Sequence, residues 1–139
     1  MTEVDFYVLP GNEAAERLQF ACRLADKAFR RGHRVYIHTA SEAHASEIDE
    51  LLWSFRSSSF IPHGLQGAAD SERVAIGWSD DPGEAHDFMI NLNLEVPGFV
   101  GRFERVAEVV VQDPAIRDSL RASWKYYKDR GYPIKNNKL

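Results

Sequence analysis

The chain has 139 residues, of which 44% are hydrophobic and 27% charged, and its formal net charge is −4. This length is enough for one domain with a sizeable core, and no apolar run reaches the roughly 20 residues of a membrane-spanning helix. A single cysteine, Cys22, excludes an internal disulfide. The acidic N-terminus is unlike a signal peptide, so we expect a cytoplasmic protein.

The first predicted elements are a strand and a long helix. Apolar residues alternate in EVDFYVL, which predicts a strand that ends before Pro10. The following segment, EAAERLQFACRLADKAFRR, has apolar residues at helical spacing. We expect Asn12 to cap the start of this helix and Gly32 to end it.

A second strand and a second helix follow. HRVYIHT is typical of a buried strand, and Thr39 and Glu42 form a T-x-x-E pattern that predicts the start of a helix reaching about Trp53. The next segment, RSSSFIPHGLQGAADSE, is rich in serine and glycine, so we interpret it as a connector. RVAIGW after it predicts a third strand.

The second half of the chain predicts two further strands and a last helix. FMINLN and VAEVVV are typical of strands, with a short helical stretch between them. Asp113 before Pro114 predicts a capped helix that runs to about Arg130, and Gly131 ends it. We interpret residues 132–139 as a polar C-terminal tail.

This order of elements predicts an α/β fold in a single domain over residues 1–139. A three-layer sandwich is expected, with a mainly parallel sheet of about five strands flanked by helices, Rossmann-like but without a nucleotide-binding loop. The first strand–helix turn, LPGNEAAE, contains one glycine, where a dinucleotide fingerprint requires several. A small nucleotide- or phosphosubstrate-binding enzyme therefore remains only as an alternative.

The residues indicate neither a catalytic site nor a metal site, and we expect no cofactor. His33 and His38 flank one strand and should point to opposite faces of the sheet, so they cannot share a metal. We interpret the five histidines as surface or loop residues. Cys22 lies on the apolar stripe of the first helix, which favours a core position over a nucleophile.

The C-terminal segment carries the positive charge of the chain. Residues 117–139 contain seven Lys or Arg and two acids, whereas the first 116 residues contain ten Lys or Arg and nineteen acids. At about 100° per residue, Leu120, Ser123 and Tyr127 form an apolar stripe on the last helix. A basic ridge lies beside this stripe, and an aromatic ring lies on the seam between the two: Arg117, Arg121, Lys125, Lys128 and Trp124.

Three interpretations of this helix remain open from the residues alone. The cations are simply solvated while Trp124 packs against the core, or the ridge binds a ligand that is both anionic and apolar. Direct binding of single-stranded DNA is the third, because aromatic rings stack on bases beside phosphate-binding cations. The acidic remainder of the chain disfavours the DNA interpretation, since tracking phosphates needs a broad positive field.

Five segments carry a resemblance that extends over nearly the whole chain: FYVL, GHRVYI, IDELLW with SFIPHGL, FMINL and RASWKYYKDRGY. In order and spacing they resemble the family of chi subunits of bacterial DNA polymerase III holoenzyme. The resemblance implies a non-catalytic accessory subunit of the clamp-loader assembly. It also implies two partners, the acidic, phenylalanine-terminated C-terminal tail of single-stranded DNA-binding protein and the psi subunit, with nucleic acid contacted only indirectly.

The resemblance assigns the tail site to the last helix. Its basic and aromatic positions correspond to Arg117, Arg121, Trp124, Lys125 and Lys128 in this sequence. Trp124 stands where a tyrosine is usual in the family, which keeps a ring and loses a hydroxyl. Lys128 stands where arginine is usual, which loses a bidentate fork, so Arg121 is the expected carboxylate anchor.

The resemblance assigns the psi interface to Trp53 and Phe60. Without the resemblance, we favour the interpretation that both aromatics fold back onto the core. A tryptophan at a helix end and a phenylalanine in a serine-rich loop suit interface anchors if they are exposed.

Overall fold

The computed structural model describes residues 1–54, 63–65 and 74–139. It contains three α-helices and seven strands within these ranges, and a 3-10 helix covers Val100–Arg102. The helices are α1 (Ala14–Arg30), α2 (Glu42–Ser54) and α3 (Pro114–Asp129). The strands are β1 (Glu3–Val8), β2 (Val35–His38), β3 (His63–Leu65), β4 (Val74–Gly77), β5 (Phe88–Asn91), β6 (Arg105–Val110) and β7 (Ile134–Lys138).

The described strands form one sheet in the order β3-β4-β2-β5-β6-β1-β7, and every pairing in it is parallel. The first strand lies between two strands that are distant in sequence, since Val4 is opposite both Val106 and Ile134. The predicted α/β fold with a mainly parallel sheet is therefore confirmed.

Helices cover both faces of the sheet, which gives the three layers. One face packs against α1 and α2 through buried residues such as Cys22, Ile48 and Ile90. The other face packs against α3 through residues such as Phe6 and Tyr127. Because side chains alternate across each strand, neighbouring residues of β1, β2 and β5 serve opposite layers.

Two strands were absent from the sequence prediction. β3 lies within the segment that was interpreted as a connector, and β7 occupies most of residues 132–139, which were interpreted as a polar tail. β7 lies at the edge of the sheet, where three of its five residues are exposed and two are half-buried, which suits its polar sequence. Its backbone nevertheless pairs with β1, so the interpretation of this segment as a tail, which rested on its polarity, is wrong.

The glycines predicted to end helices are confirmed, whereas the residues predicted to cap the starts of α1 and α2 are not. Gly32 and Gly131 both have positive φ, at +91° and +79°, just after α1 and α3. The predicted cap at Asn12 is wrong, because α1 begins after Glu13 without a side-chain cap. Ser41 rather than Thr39 caps α2, since its Oγ accepts a hydrogen bond from the backbone N–H of His44 at 3.1 Å.

Within the described ranges, none of the helices combines the length and apolarity that crossing a membrane requires.

Candidate functional site

The last helix, α3, is fixed at both ends by local sequence. Asp113 caps its start, where Oδ2 accepts a hydrogen bond from the N–H of Ile116 at 3.1 Å, and Pro114 occupies the first turn. Gly131 ends it in a Schellman turn, in which the N–H of Tyr132 donates to the carbonyl of Tyr127 at 3.1 Å. The predicted bounds of this helix are confirmed to within one residue.

The apolar stripe of α3 is buried as the helical spacing predicted. Leu120, Ser123 and Tyr127 have at most 4% of their surface exposed. The ring of Tyr127 packs edge-on against Phe6, with 6.0 Å between the ring centroids. The stripe therefore determines which face of α3 is turned away from the sheet.

A buried carboxylate anchors this stripe. Glu108, in the middle of β6, is fully buried, and its Oε2 accepts hydrogen bonds from the hydroxyl of Tyr127 at 2.6 Å and from Nδ2 of Asn91 at 3.0 Å. Burial raises the pKa of Glu108 to about 7, although both hydrogen bonds act in the opposite direction. Burial and the adjacent carboxylate also raise the pKa of Tyr127, so its hydroxyl remains a donor.

A buried arginine from the other layer approaches the same carboxylate. Arg17 of α1 donates from Nε to the carbonyl of Val109 at 2.8 Å and from Nη1 to the carbonyl of Leu92 at 3.1 Å. Its charge lowers the pKa of Glu108, which counteracts part of the effect of burial. Arg17 thus ties α1 to the carboxyl ends of β5 and β6.

The exposed side of α3 presents the predicted seam and ridge. Trp124 is half-buried at the margin of the core beneath α3. The Nζ of Lys128 lies 4.9 Å from the centroid of the Trp124 ring, which is a cation–π contact. The seam position of Trp124 is therefore confirmed. At this edge of the ridge, the ammonium group of Lys128 lies over the indole ring.

The remaining cations of the ridge lie next to carboxylates of the same helix. Asp118 Oδ1 is 3.7 Å from Nη1 of Arg121 and 3.8 Å from Nε of Arg117. Lys125 Nζ lies 2.7 Å from Oδ2 of Asp129, both exposed. The distances from Asp118 are too long for hydrogen bonds, and the Nε of Arg117 is itself buried without a hydrogen-bond partner among the described residues.

The structure therefore brings together the five residues of the predicted α3 site along one side of a single rigid helix. Arg121 has 72% of its side chain exposed and Arg117 has 35%, so their depths differ. Such a surface offers bidentate donors for carboxylates beside an aromatic ring. No acid, base or nucleophile of a reaction is needed for binding of this kind.

The second predicted surface lies on the other side of the sheet. Trp53, in the last turn of α2, is 61% exposed, although Leu52 next to it is buried. Phe60 lies outside the described residues. Because α2 and α3 cover opposite faces of the sheet, Trp53 and the α3 ridge are separate surfaces.

The histidine predictions are correct for His33 and wrong for His38. His33 pairs with Asp87, with 3.1 Å between Nδ1 and Oδ1. His38 is buried rather than at the surface, with its ring 5.1 Å from that of Phe99, and burial lowers its pKa. The two histidines belong to opposite layers as expected, and the described residues contain no cluster suited to a metal ion.

The thiol of Cys22 is buried in the core beside α1, and burial raises its pKa to about 12. This environment suits a packing residue, because the thiolate is the reactive form.

Glu108 was missed by the sequence prediction, although an acid inside the apolar run VAEVVV was a signal for a buried polar partner.

A family model described as DNA polymerase III chi subunit, HolC, matches residues 1–135. The chain is 51% identical over 139 residues to the DNA polymerase III subunit chi of Pseudomonas aeruginosa, which covers 100% of this chain and 98% of that protein. It is 33% identical over 132 residues to the subunit chi of Haemophilus influenzae, which covers 93% of this chain and 92% of that protein.

The subunit chi of Escherichia coli is 28% identical over 141 residues, which covers 96% of each chain. A solved structure, the crystal structure of T4 UvsW, matches with a TM-score of 0.66 and covers 99% of this chain and 41% of that one. At 8% sequence identity this likeness concerns the fold alone.

The family model and the relatives match nearly the full length of a chain whose fold and helix bounds agree with its sequence pattern. The chain therefore belongs to the DNA polymerase III chi subunit (HolC) family, and it is a non-catalytic accessory subunit that takes part in DNA replication.

Proposed function

We propose that the chain links two partners within the polymerase holoenzyme. The ridge of α3 binds the acidic, phenylalanine-terminated C-terminal tail of single-stranded DNA-binding protein. A surface around Trp53, together with Phe60, binds the psi subunit and so tethers the chain to the clamp loader. The protein then couples the clamp loader to coated single-stranded DNA without binding DNA itself.

The observation that carries the proposal is the alignment of a ring and cations on α3. Lys128 lies over Trp124 at 4.9 Å, and Arg121 is exposed one turn away on the same side. Carboxylates of an acidic tail match these donors, and a terminal phenylalanine matches the apolar margin beside Trp124. A peptide tip needs only this short row, whereas a DNA strand needs a longer positive track.

The test is a titration with an acidic peptide that ends in Pro-Phe and with the same peptide lacking the final Phe. We expect the complete peptide to bind more tightly, and both to bind more weakly at high salt because exposed charges are screened. Equal affinities would leave only general charge attraction. Retention of an oligonucleotide at physiological salt would instead support direct DNA binding.

The anchor is tested by Arg121→Ala, with Arg130→Ala as the matched control. Both changes remove one exposed cation from α3 or its cap, but residue 130 is about 180° from residue 121 around the helix. We expect about tenfold weaker peptide binding for the first variant and little change for the second, since charge-assisted hydrogen bonds to carboxylates are the strong ones. Equal losses would contradict a defined site.

The tether is tested with variants that change one of the two surfaces at a time, each measured for binding to both partners. Trp53→Ala should weaken binding to the psi subunit and leave peptide binding intact, whereas Trp124→Ala should do the reverse. Phe60→Ala should behave like the Trp53 variant. Loss of both partners in one variant, together with a lowered unfolding temperature, would indicate a folding defect and would not support the tether.

A further inference from the structure

A second surface combines rings with cations on the face of the sheet opposite α3. This surface, which we call the α1 groove, lies between α1 and strands β1 and β6. A cavity of about 380 Å³ opens there over an apolar floor that includes Tyr7, Phe20 and Phe88. The half-buried rings of Tyr7 and Phe20 are in contact, with 5.3 Å between their centroids. The floor offers an aromatic contact surface to an apolar side chain.

The rim of the α1 groove is basic. Arg23, Lys27 and Arg31 line the cavity at steps of four residues, so they form one row along α1. All three are exposed. The ion pairs found in the part of the chain that the structure describes involve none of them. No carboxylate of those ranges therefore lies within 4 Å of a cationic nitrogen of the row.

Helix stability does not explain this row. Like charges four residues apart destabilise a helix, and the helix dipole favours cations only within the last turn. Lys27 and Arg31 lie at that end of α1, but Arg23 lies farther from it. Arg30 of the same helix does have a carboxylate partner, with 2.7 Å between its Nε and Oδ1 of Asp26. Among the exposed cations of α1 and its C-terminal cap, those without an ion-pair partner are thus the three that line the groove.

The α1 groove is long enough for a short extended peptide. A second cavity, of about 410 Å³, shares Phe20 and Arg23 with the first and reaches Pro10. From residue 16 to residue 31 the helix path is about 22 Å at its usual rise. About seven residues of extended chain cover that distance.

We propose that the α1 groove binds a short acidic peptide segment of a protein partner. Its carboxylates contact Arg23, Lys27 and Arg31, and an aromatic or leucine side chain lies on the floor beside Tyr7 and Phe20. The site is separate from the α3 ridge and does not depend on the function proposed for that ridge.

The carboxylates near the groove favour a peptide over a nucleic acid. Asp5 lies 2.7 Å from Nη2 of Arg105, and Asp87 pairs with His33, so the far end of the groove is close to neutral. The cations of the groove without an ion-pair partner are the three of one row, and the second cavity also carries the acidic side chain of Glu16. A nucleic-acid strand gains most of its affinity from many phosphate contacts, which such a row does not supply.

The proposal is tested by fluorescence anisotropy with a labelled peptide that alternates aspartate with leucine and carries a central phenylalanine. Four proteins are compared: the wild type, Arg23→Ala/Lys27→Ala/Arg31→Ala, Arg121→Ala/Lys125→Ala/Lys128→Ala, and the combination of both. The informative comparison is made in the background without the α3 cations, where the α3 ridge does not contribute: there we expect the α1 changes to weaken binding about tenfold, as the loss of three exposed ion pairs predicts. Circular dichroism checks that each variant is folded.

Two further probes separate the alternatives. A peptide with serine in place of the leucines and phenylalanine should bind more weakly if the floor contributes. A thymidine oligonucleotide of matched charge should bind poorly, and its binding should not depend on the α1 cations. The proposal is overturned if the variant without the α3 cations does not bind the acidic peptide, if adding the α1 changes to it leaves its binding unchanged, or if the oligonucleotide shows the stronger dependence on the α1 cations. Failure of the α3 ridge to bind its own peptide would leave these results unaffected.

Discussion

The hydroxyl of Tyr127 donates a 2.6 Å hydrogen bond to Oε2 of Glu108, and this contact joins α3 to the middle of the sheet. Both residues are fully buried. The proposed ridge residues Trp124 and Lys128 lie within one turn of Tyr127, so the orientation of the ridge depends on this internal contact. The surface that we propose for binding is therefore held in place by a buried hydrogen bond between α3 and the sheet.

Removing the hydroxyl should destabilise the fold. We expect Tyr127→Phe to lower the free energy of unfolding by about 1–3 kcal/mol, because Glu108 loses one of two buried donors. Tyr126→Phe is the matched control on the same helix, since residue 126 is half-buried and should change stability by less than about 0.5 kcal/mol. Urea unfolding measures both. Equal effects would show that the contact contributes little.

The buried carboxylate should make stability depend on pH. Burial raises the pKa of Glu108 in the folded protein to about 7 from 4.5, so between these values the folded state binds more protons than the unfolded state. Stability should therefore fall as pH rises from about 4.5 to 7, by roughly 3 kcal/mol for this group, and then level off.

The comparison that isolates this effect uses Glu108→Gln. Groups shared by the two proteins titrate alike, so the difference between their unfolding free energies should follow Glu108 alone. We expect the wild type to lose stability relative to the variant as pH rises from 4.5 to 7. A difference that is constant across that range would contradict the raised pKa.

The N-cap of α3 should contribute measurably. Asp113→Ala removes the acceptor for the N–H of Ile116 and should cost about 1 kcal/mol of stability. Asp113→Asn keeps an oxygen at the same place and should cost much less. Thermal unfolding of the two variants gives the comparison, and similar losses for both would assign the effect to charge rather than to capping.

Gly131 should tolerate a side chain poorly. Its φ of +79° lies in the left-handed region, so Gly131→Ala should destabilise the protein by about 1–2 kcal/mol. The added methyl group itself meets nothing within 4 Å, so the cost is conformational. Gly98→Ala serves as control, because that position has equal space and its φ is not in this region. Chemical denaturation distinguishes them, and equal stability would count against strain.

Asp118 should compete with the proposed peptide tail. Its carboxylate lies within 4 Å of both Arg117 and Arg121, so Asp118→Asn should increase tail affinity several-fold at low salt. Glu50→Gln on α2 changes the net charge by the same amount on the opposite face of the sheet. Isothermal titration at two salt concentrations measures the effect. The idea fails if both variants bind equally, since net charge would then suffice.

The sequence predicted the elements that have a strong local signal. Asp113 with Pro114 and the glycine at 131 mark the ends of α3 by their own backbone preferences, so its bounds could be predicted closely. The position of Trp124 on the seam was also predicted correctly, because helical spacing fixes which residues share a face.

The remaining features depend on contacts between distant segments. β7, at the edge of the sheet, carries polar residues and is recognisable only from its pairing with β1. The partners of Glu108 come from β5 and α3, and no local pattern joins these segments. The α1 groove likewise needs β1 and β6 beside α1, so the row of cations alone did not indicate it.

The position of β1 between β6 and β7 has a consequence for how the chain folds while it is being synthesised. Val4 finds its neighbours only at Val106 and Ile134, about a hundred or more residues later. A strand that leaves the ribosome early must therefore wait, unpaired, for the last segments to emerge. Contacts this distant in sequence slow folding and prolong the exposure of apolar strands. The pairing of β1 is therefore one of the last contacts of the sheet that can form as the chain is made.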